Sequence, residues 1–344
     1  MNKDILLCNR NFGCRIKEYI SNGFRMLSLE NSVLKVVIIL DKGADIYEFV
    51  YKPLDIDFMF HYPMKSHKNI TPSVFGSSGN FLDYYEGGWQ ELFPNIGSPC
   101  KVRSAEYGMH GEVALLPWDL KIICDEVNKI SVELSVSTIR TPYKLVKTLT
   151  ILEDSPILFM DEEVINEGNQ NMEFQWGHHP ALGGNFLDDT CEIMIKGNPK
   201  ITGIDVDLGD VSLIGPAEEG VWPNILSKDG TYINLSKVKE MDSKTYMEFS
   251  ITDLEDASYI VKNNKLNLGF GMEWDKNIFP NIWVWQMFGG GMDYPFYGRA
   301  YTLALEPWSS LPGNLEKCIE NGTTLKIRAG ESKKVSMKAF VQTF

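Results

Sequence analysis

The sequence predicts an all-β protein built as one large antiparallel β-sandwich. Several segments alternate apolar and polar residues with a period of two, which is the pattern of a strand with one buried face. The sequence shows no convincing amphipathic helix, and no internal repeat or Gly/Ser-rich linker divides the 344 residues. We therefore expect residues 1–344 to form a single domain.

The strand signal begins with an apolar run at residues 33–40, which a turn at 41–43 joins to a second run at 46–50. This arrangement is typical of a hairpin or a sharp sheet corner. Four later segments alternate clearly, at residues 130–137, 191–196, 266–274 and 335–341. Short helical turns are expected only within residues 236–263.

Residues 52–88 form the longest segment without a periodic pattern, and they contain seven proline and glycine residues. Long ordered loops in compact proteins often carry function. This segment is therefore a candidate for a functional role.

Composition and charge exclude several classes of partner. The chain carries 33 Lys and Arg against 46 Asp and Glu, and its formal net charge of -13 repels nucleic acid and anionic lipid. The N-terminus lacks a signal-peptide pattern, and no stretch of eighteen apolar residues is present. We expect a cytoplasmic protein with no nucleic-acid or membrane partner.

The six cysteines are scattered and show no spacing typical of a zinc site. We therefore expect reduced, mostly buried thiols and no metal site.

Residues 299–306 read as a strand with two unlike faces. Large side chains, Arg299 among them, lie on one face, and the other face carries Ala300, Thr302, Ala304 and Glu306. Small side chains leave room above the sheet for a ligand. Pro307 has no N–H to donate and is expected to end the ladder, which would leave Glu306 at the end of the strand.

A similar pattern occurs at residues 173–179, which read as a strand with His178 and His179 on opposite faces. Pro180 keeps His179 extended. A lone histidine is more often a hydrogen-bonded core or surface residue than a functional one. The matching context at Glu306 favours a functional His179.

Weaker candidates precede these two strands. His110 is followed by Gly111, which permits close approach of a ligand. The side chains of Trp89, Gln90 and Asn95 can contact a polar ligand, but they can equally stabilise a turn.

A glutamate and a histidine on opposite sides of a small polar ligand form a general base and a general acid, because their usual pKa values lie near 4 and 6.5. Opening of a pyranose ring requires such a pair. The base removes the proton of the anomeric hydroxyl, and the acid protonates the ring oxygen. This reaction requires no metal or redox cofactor.

Three motifs in order resemble the galactose mutarotase (aldose 1-epimerase) superfamily, especially its bacterial aldose 1-epimerase-like branch. They are HGE at residues 110–112, GHHPALGG at 177–184 and LALEPWSSLPGNL at 303–315. Each motif is short, but the resemblance covers most of the chain in order. The resemblance implies a galactose mutarotase-like supersandwich, which is a large antiparallel β-sandwich with a concave sugar-binding cleft.

The same resemblance implies site roles. Glu306 matches the family's catalytic base, His179 its general acid and His110 its substrate-holding histidine, while His178 takes the place of a neighbour whose role varies. Related sequences usually place a sugar-holding arginine where this chain has Ser98. Arg103 is the preferred substitute, because Arg299 is expected to face away from Glu306. The family's additional cleft aspartate has only Asp275 as a candidate.

The chain has eight tryptophans, and indole rings can stack on the apolar face of a pyranose. Trp308, beside Glu306, is the one expected to contact the sugar. Most of the others, including Trp283 or Trp285, are expected in the core.

These observations predict an aldose 1-epimerase-like isomerase that interconverts the α and β anomers of a small-molecule aldose or sugar derivative. The alternative is a non-catalytic sugar-binding or regulatory module, which the serine at position 98 favours. A glycoside-processing enzyme ranks last, because hydrolysis usually requires two carboxylates roughly 5–10 Å apart and only Glu306 is placed. A sugar phosphate is disfavoured by the acidic balance.

Overall fold

The computed structural model of the protein describes residues 10–62 and 79–344. The strands in the first half of the chain are Arg15–Ser21 (β1), Phe24–Glu30 (β2), Leu34–Ile39 (β3), Asp45–Tyr51 (β4), Ile56–Asp57 (β5), Trp89–Leu92 (β6), Cys100–Val102 (β7), Ala105–Tyr107 (β8), Asp119–Asp125 (β9), Lys129–Ser137 (β10), Tyr143–Leu152 (β11), Ile157–Asn166 (β12) and Met172–Phe174 (β13). Those in the second half are Gly177–Leu182 (β14), Cys191–Met194 (β15), Lys200–Gly203 (β16), Glu219–Val221 (β17), Asn224–Leu226 (β18), Tyr232–Asn234 (β19), Thr245–Thr252 (β20), Ser258–Asn263 (β21), Leu268–Trp274 (β22), Asn281–Phe288 (β23), Tyr301–Trp308 (β24), Leu325–Ile327 (β25) and Ser332–Thr343 (β26). Two short helices span Gly79–Asp83 (α1) and Leu315–Glu320 (α2).

Two antiparallel sheets contain most of these strands. The large sheet has 14 strands in the order β1-β2-β3-β4-β6-β14-β24-β23-β20-β16-β17-β18-β19, with β5 paired to β4. The small sheet has eight strands in the order β15-β21-β22-β26-β12-β11-β10-β9. The predicted fold class, an all-β antiparallel sandwich, is confirmed.

The main hydrophobic core lies between the two sheets. Alternate residues of β11 in the small sheet, such as Leu145 and Leu149, are buried in the same apolar cluster as Val284 and Leu305 of the large sheet. A second apolar cluster, which includes Trp285 and Ala304, covers the other face of the large sheet. The large sheet is therefore covered on both faces in its middle, and the second face can form a site.

The predicted strands at residues 130–137, 191–196, 266–274 and 335–341 correspond to β10, β15, β22 and β26, and β3 and β4 form the expected hairpin. The expected short helical turn is present at Met241–Ser243, and most of the remaining residues in 236–263 form β20 and β21. The expectation that helical turns occur only there was wrong, because α1 and α2 lie elsewhere. Within the loop segment at residues 52–88, residues 63–78 lie outside the described part of the chain.

Pro307 does not end its strand as expected. It pairs with Ile282 inside β24, and the strand continues to Trp308. A proline removes one hydrogen bond on one side of a strand only. The pairing of β24 with β23 therefore continues, whereas that with β14 is interrupted beside Pro307.

Of the five cysteines in the described segments, Cys14, Cys191 and Cys318 are buried, and all five are free thiols. No described helix has both the length and the apolar character that a membrane span requires.

Candidate active site

Strand β24 places Glu306 on the second face of the large sheet. Leu303 and Leu305 enter the core between the sheets, whereas Ala304 and Trp308 belong to the apolar cluster on the opposite face. Glu306 shares this second face and lines a cleft of about 990 Å³. Ala300 and Ala304 are covered by this apolar cluster and do not line the cleft, so the room expected above the small residues is found only beside Glu306 and Trp308.

His179 lies directly opposite Glu306 on the neighbouring strand. Gly177 of β14 pairs with Trp308, and Ala181 pairs with Ala304, so counting inward from both pairs brings residues 179 and 306 together. The Nε2 atom of His179 is 3.5 Å from Oε1 of Glu306. Both side chains line the same cleft.

Burial reverses the usual order of the two pKa values. It raises the pKa of the Glu306 carboxyl well above its usual range; a hydrogen bond from Trp308 opposes this shift, and the charge of Glu248 adds to it. Burial also lowers the pKa of His179 to about 3, helped by the neighbouring His110. Burial therefore disfavours the charged form of both groups, which opposes the combination of an ionised glutamate with a protonated histidine.

His110 lies in the same cleft, with its ring centroid 5.6 Å from that of His179. Its Nδ1 atom is 2.6 Å from the carbonyl oxygen of Ile96, so Nδ1–H donates and Nε2 carries the free lone pair. Burial lowers the pKa of His110 to about 4, although this hydrogen bond opposes the shift. His110 is therefore a neutral hydrogen-bond acceptor at neutral pH.

Gly111 is required by the backbone conformation and not by the approach of a ligand. Its φ of 77° lies in the left-handed region, and a Cβ there would approach within 2.2 Å of the Phe93 carbonyl oxygen. Glycine is required by this close backbone approach.

Trp308 contacts the proposed base directly, since its Nε1–H donates to Oε2 of Glu306 at 3.1 Å. Its ring stacks on Trp283 with a centroid separation of 4.9 Å and an interplanar angle of 2°. Trp283 and Trp285 both line the cleft, so the expectation of a core position for one of them was wrong. Their positions alternate with Ile282 and Val284, which face the core, and this places both indoles on the cleft face.

Four residues proposed to bind substrate do not line the cleft. Gln90 donates to the Gly87 carbonyl at 2.6 Å and to Asp45 at 3.2 Å. Asn95 donates to three backbone carbonyls, and its Oδ1 accepts from the N–H of Leu315. Both buried amides therefore hold loops together.

His178 points between the two sheets. The Nε1–H of Trp89 donates to His178 Nδ1 at 3.2 Å, so the other ring nitrogen, Nε2, carries the proton and donates to Glu162 at 3.0 Å. The two strand faces separate adjacent histidines, and only His179 reaches the cleft.

Arg103 is an exposed residue at a different, smaller cavity of about 270 Å³, where it donates to the Asn171 carbonyl. Arg299 does not line the cleft, and its guanidinium donates hydrogen bonds to the Tyr62 hydroxyl and the Phe296 carbonyl. Neither arginine replaces the one expected at Ser98, which does line the cleft. Asp275 lies in an exposed turn, so it is not the expected cleft carboxylate.

The cleft carboxylate that sequence reasoning missed is Glu248 on β20. It accepts a hydrogen bond from Tyr246, and burial raises its pKa. The segment TYMEFSIT alternates polar and apolar residues and could have revealed a strand with a polar face. The short helical turn expected in this region lies just before the strand, at Met241–Ser243.

The loop segment at residues 52–88 contributes Phe81 and Tyr85 to the cleft wall. Phe81 packs edge-on against His110 at 4.5 Å, and Tyr85 packs against His179 at 5.7 Å. The Tyr85 hydroxyl is buried without a hydrogen-bond partner among the described residues.

The cations at the cleft are paired. Lys200 binds Glu219 at 2.5 Å and Lys317 binds Asp205 at 3.2 Å. Within residues 10–62 and 79–344, no three His, Cys, Asp or Glu side chains lie close enough together to hold a metal ion.

Comparison with solved structures agrees with this architecture. The chain is similar to a protein from Klebsiella pneumoniae that is provisionally named an aldose 1-epimerase, with a TM-score of 0.71, 13% identity and coverage of 99% of this chain and 86% of that one. A Synechocystis protein matches with a TM-score of 0.64 and 17% identity over 98% and 99% of the two chains. A galactose mutarotase-like protein from Clostridium acetobutylicum matches with a TM-score of 0.62 and 14% identity over 96% and 99%.

These identities show the fold and not the reaction. No curated protein matches the sequence. A family model described as a domain of unknown function, DUF4432, matches residues 21–220, which is more than half of the chain. The chain therefore belongs to the DUF4432 family, and its fold is that of the galactose mutarotase-like proteins.

Proposed function

We propose that this protein is an aldose 1-epimerase-like isomerase that interconverts the α and β anomers of a sugar. The observation that carries the proposal is the pairing of His179 with Glu306 at 3.5 Å across adjacent strands of one cleft. A base and an acid on neighbouring strands can act on two oxygens bonded to the same anomeric carbon.

The pair holds one proton in a buried site. Transfer of this proton from Glu306 to His179 gives a carboxylate and an imidazolium, which are the base and the acid that ring opening requires. Glu306 then removes the proton of the anomeric hydroxyl, and His179 protonates the ring oxygen as the bond from that oxygen to the anomeric carbon breaks. Rotation of the aldehyde and reversal of both proton transfers give the other anomer and regenerate the pair.

Other side chains support binding in this proposal. The Nε2 lone pair of His110 accepts a hydrogen bond from a sugar hydroxyl. Glu248 lines the same cleft and can accept another, and the indole of Trp308 offers apolar surface to the reacting ring.

The test is anomer exchange measured by saturation-transfer NMR on a panel of aldoses. We expect accelerated exchange for at least one aldose and its loss in Glu306→Gln. An unchanged rate in this variant contradicts the assignment of Glu306.

Two other outcomes have specific support. Ser98 leaves the cleft without the expected arginine, so sugar binding by calorimetry without exchange identifies a non-catalytic binding module. Glu248 supplies a second carboxylate, so release of a reducing sugar from a glycoside identifies a glycoside-processing enzyme. Either result would contradict the proposal that the protein is an isomerase.

A further inference from the structure

A row of directly opposed residues crosses the large sheet at the level of the catalytic pair. Strand register pairs residue 202 with 250, 250 with 283, and 283 with 306, and it places 179 opposite 306. All of these residues face the cleft. In order across the sheet they are His179, Glu306, Trp283, Ser250 and Thr202.

The row is much longer than the reaction requires. Neighbouring strands lie about 4.8 Å apart, so the three steps from Glu306 to Thr202 span about 14 Å. One pyranose ring is about as wide as one such step. The cleft of about 990 Å³ lies near the upper end of the roughly 300–1,000 Å³ range of pockets that enclose a whole drug-sized ligand. A single sugar at the catalytic pair leaves the far part of the cleft unfilled.

The two ends of the row differ in access to solvent. At the His179 end, Phe81 and Tyr85 are only 4% and 2% exposed and form a wall. At the Thr202 end, Asp205, Val206 and Glu219 are exposed. A substrate must therefore place its reacting ring at the closed end, and any further part of it extends along the row toward the open end.

The surface between the two ends suits a second sugar. Trp283 stands directly between Glu306 and Ser250 and is partly exposed, so its indole can pack against a second ring. Beyond it, strands β20 and β16 carry the short hydroxyl side chains of Ser250 and Thr202. The Ser250 hydroxyl donates to the Thr202 carbonyl at 3.3 Å, and its oxygen can still accept a hydrogen bond. Hydroxyl groups that exchange hydrogen bonds with a sugar, next to an aromatic surface, form a neutral carbohydrate site.

The charges at the open end favour an uncharged extension. Lys200 pairs with Glu219, and Lys317 pairs with Asp205, so the rim offers neither a free cation nor an uncompensated acidic patch among these four residues. A phosphate or carboxylate on the second unit would have to displace one of these acidic partners.

We propose that Trp283, Ser250 and Thr202 form a second sugar subsite, so that the preferred ligand is the reducing end of a neutral disaccharide or longer glycan. This inference rests on the proposed function in one respect, which is the choice of the sugar ring that reacts. The subsite itself predicts a binding preference, which is measurable without catalysis.

The experiment is calorimetry with matched sugars: glucose against maltose and cellobiose, galactose against β-1,4-galactobiose, mannose against β-1,4-mannobiose, and xylose against xylobiose. We expect at least one disaccharide to bind about tenfold or more tightly than its own monosaccharide. Thr202→Tyr fills the open end of the row and should bring that ratio close to one. Thr148→Tyr, on the small sheet, is the matched control and should keep the ratio.

The ratio of two affinities in one protein cancels any loss of folded material. The inference is overturned if no disaccharide in the panel binds more tightly than its monosaccharide, or if Thr202→Tyr keeps the preference. Anomer exchange on the same sugars is a separate readout. Anomer exchange without a disaccharide preference would support the isomerase and contradict the second subsite. A disaccharide preference without anomer exchange would support the subsite and contradict the isomerase.

Discussion

The imidazole of His179 and the carboxyl of Glu306 occupy directly opposed positions on two adjacent strands, with 3.5 Å between Nε2 and Oε1. Because both groups are buried, the charged form of each is disfavoured. In the proposed mechanism a proton passes between them, so the two groups act as one unit.

The first prediction follows from this shared proton. Glu306→Gln and His179→Gln should each lower the rate of anomer exchange by about 10²–10⁴-fold, because either change removes proton transfer. The double variant should be little slower than the worse single variant. Saturation-transfer NMR measures the rates, and Glu273→Gln on the small sheet is the control. Fully additive losses would contradict a shared proton.

Trp308→Phe tests the hydrogen bond to the carboxylate. The indole N–H stabilises ionised Glu306, so its removal should raise the pKa of Glu306. The alkaline limb of the pH profile of kcat/KM, where the pair loses its last proton, should move to higher pH. Trp283→Phe is the matched control, because the Trp283 ring stacks on Trp308, whereas the hydrogen bond to Glu306 comes from Trp308. An alkaline limb that moves equally in both variants would show that the hydrogen bond is not the cause.

His110 should make the fold sensitive to acid. Its pKa is about 4 in the folded protein and about 6.5 in the unfolded chain. As pH falls through this window, the unfolded chain binds a proton that the folded protein does not, so the free energy of unfolding decreases. His110→Gln should remove about 2–3 kcal/mol of this decrease between pH 7 and pH 4. Urea unfolding at both pH values measures it, and an unchanged difference would contradict the burial argument.

Lys147 and Glu91 form a buried ion pair between the two sheets, with 3.0 Å between Nζ and Oε2. Lys147→Met leaves the Glu91 carboxylate without its cation and should destabilise the protein by about 3–5 kcal/mol. Adding Glu91→Gln should recover most of this loss, because Gln keeps an acceptor for the Trp176 N–H. Urea unfolding is the measurement. A double variant as unstable as Lys147→Met would contradict the charge explanation.

Sequence reasoning could place Glu306 and His179 because each precedes a proline and shares a strand face with small residues, although both lie inside their strands rather than at the ends. The period of two assigns residues to faces without saying which face meets the ligand. His178 and His179 were therefore both candidates, and only the sheet packing separates them. The same limit explains why one of Trp283 and Trp285 was expected in the core. Both share a sheet face with Glu248, and the sequence does not identify that face as the cleft.

Other wrong predictions concern residue types that can form hydrogen bonds either with a loop backbone or with a ligand. Asn95 satisfies backbone carbonyls of two separate segments, at residues 97–98 and 108, and accepts from a third at residue 315. No local pattern distinguishes such an amide from one that binds a sugar hydroxyl. Arg103 failed as a substitute because the chain turns away from the cleft after Ser98, and sequence spacing does not report that direction.

Pro180 and Pro307 determine which hydrogen bonds hold the strands that carry His179 and Glu306. They flank the interrupted stretch of the ladder between β14 and β24, where neither proline has an N–H to donate. Drawing the two strands together at this point breaks no backbone hydrogen bond from either proline. The spacing of Glu306 and His179 is therefore set by the outer pairing of each strand, β14 with β6 and β24 with β23, rather than by hydrogen bonds between β14 and β24 at this point.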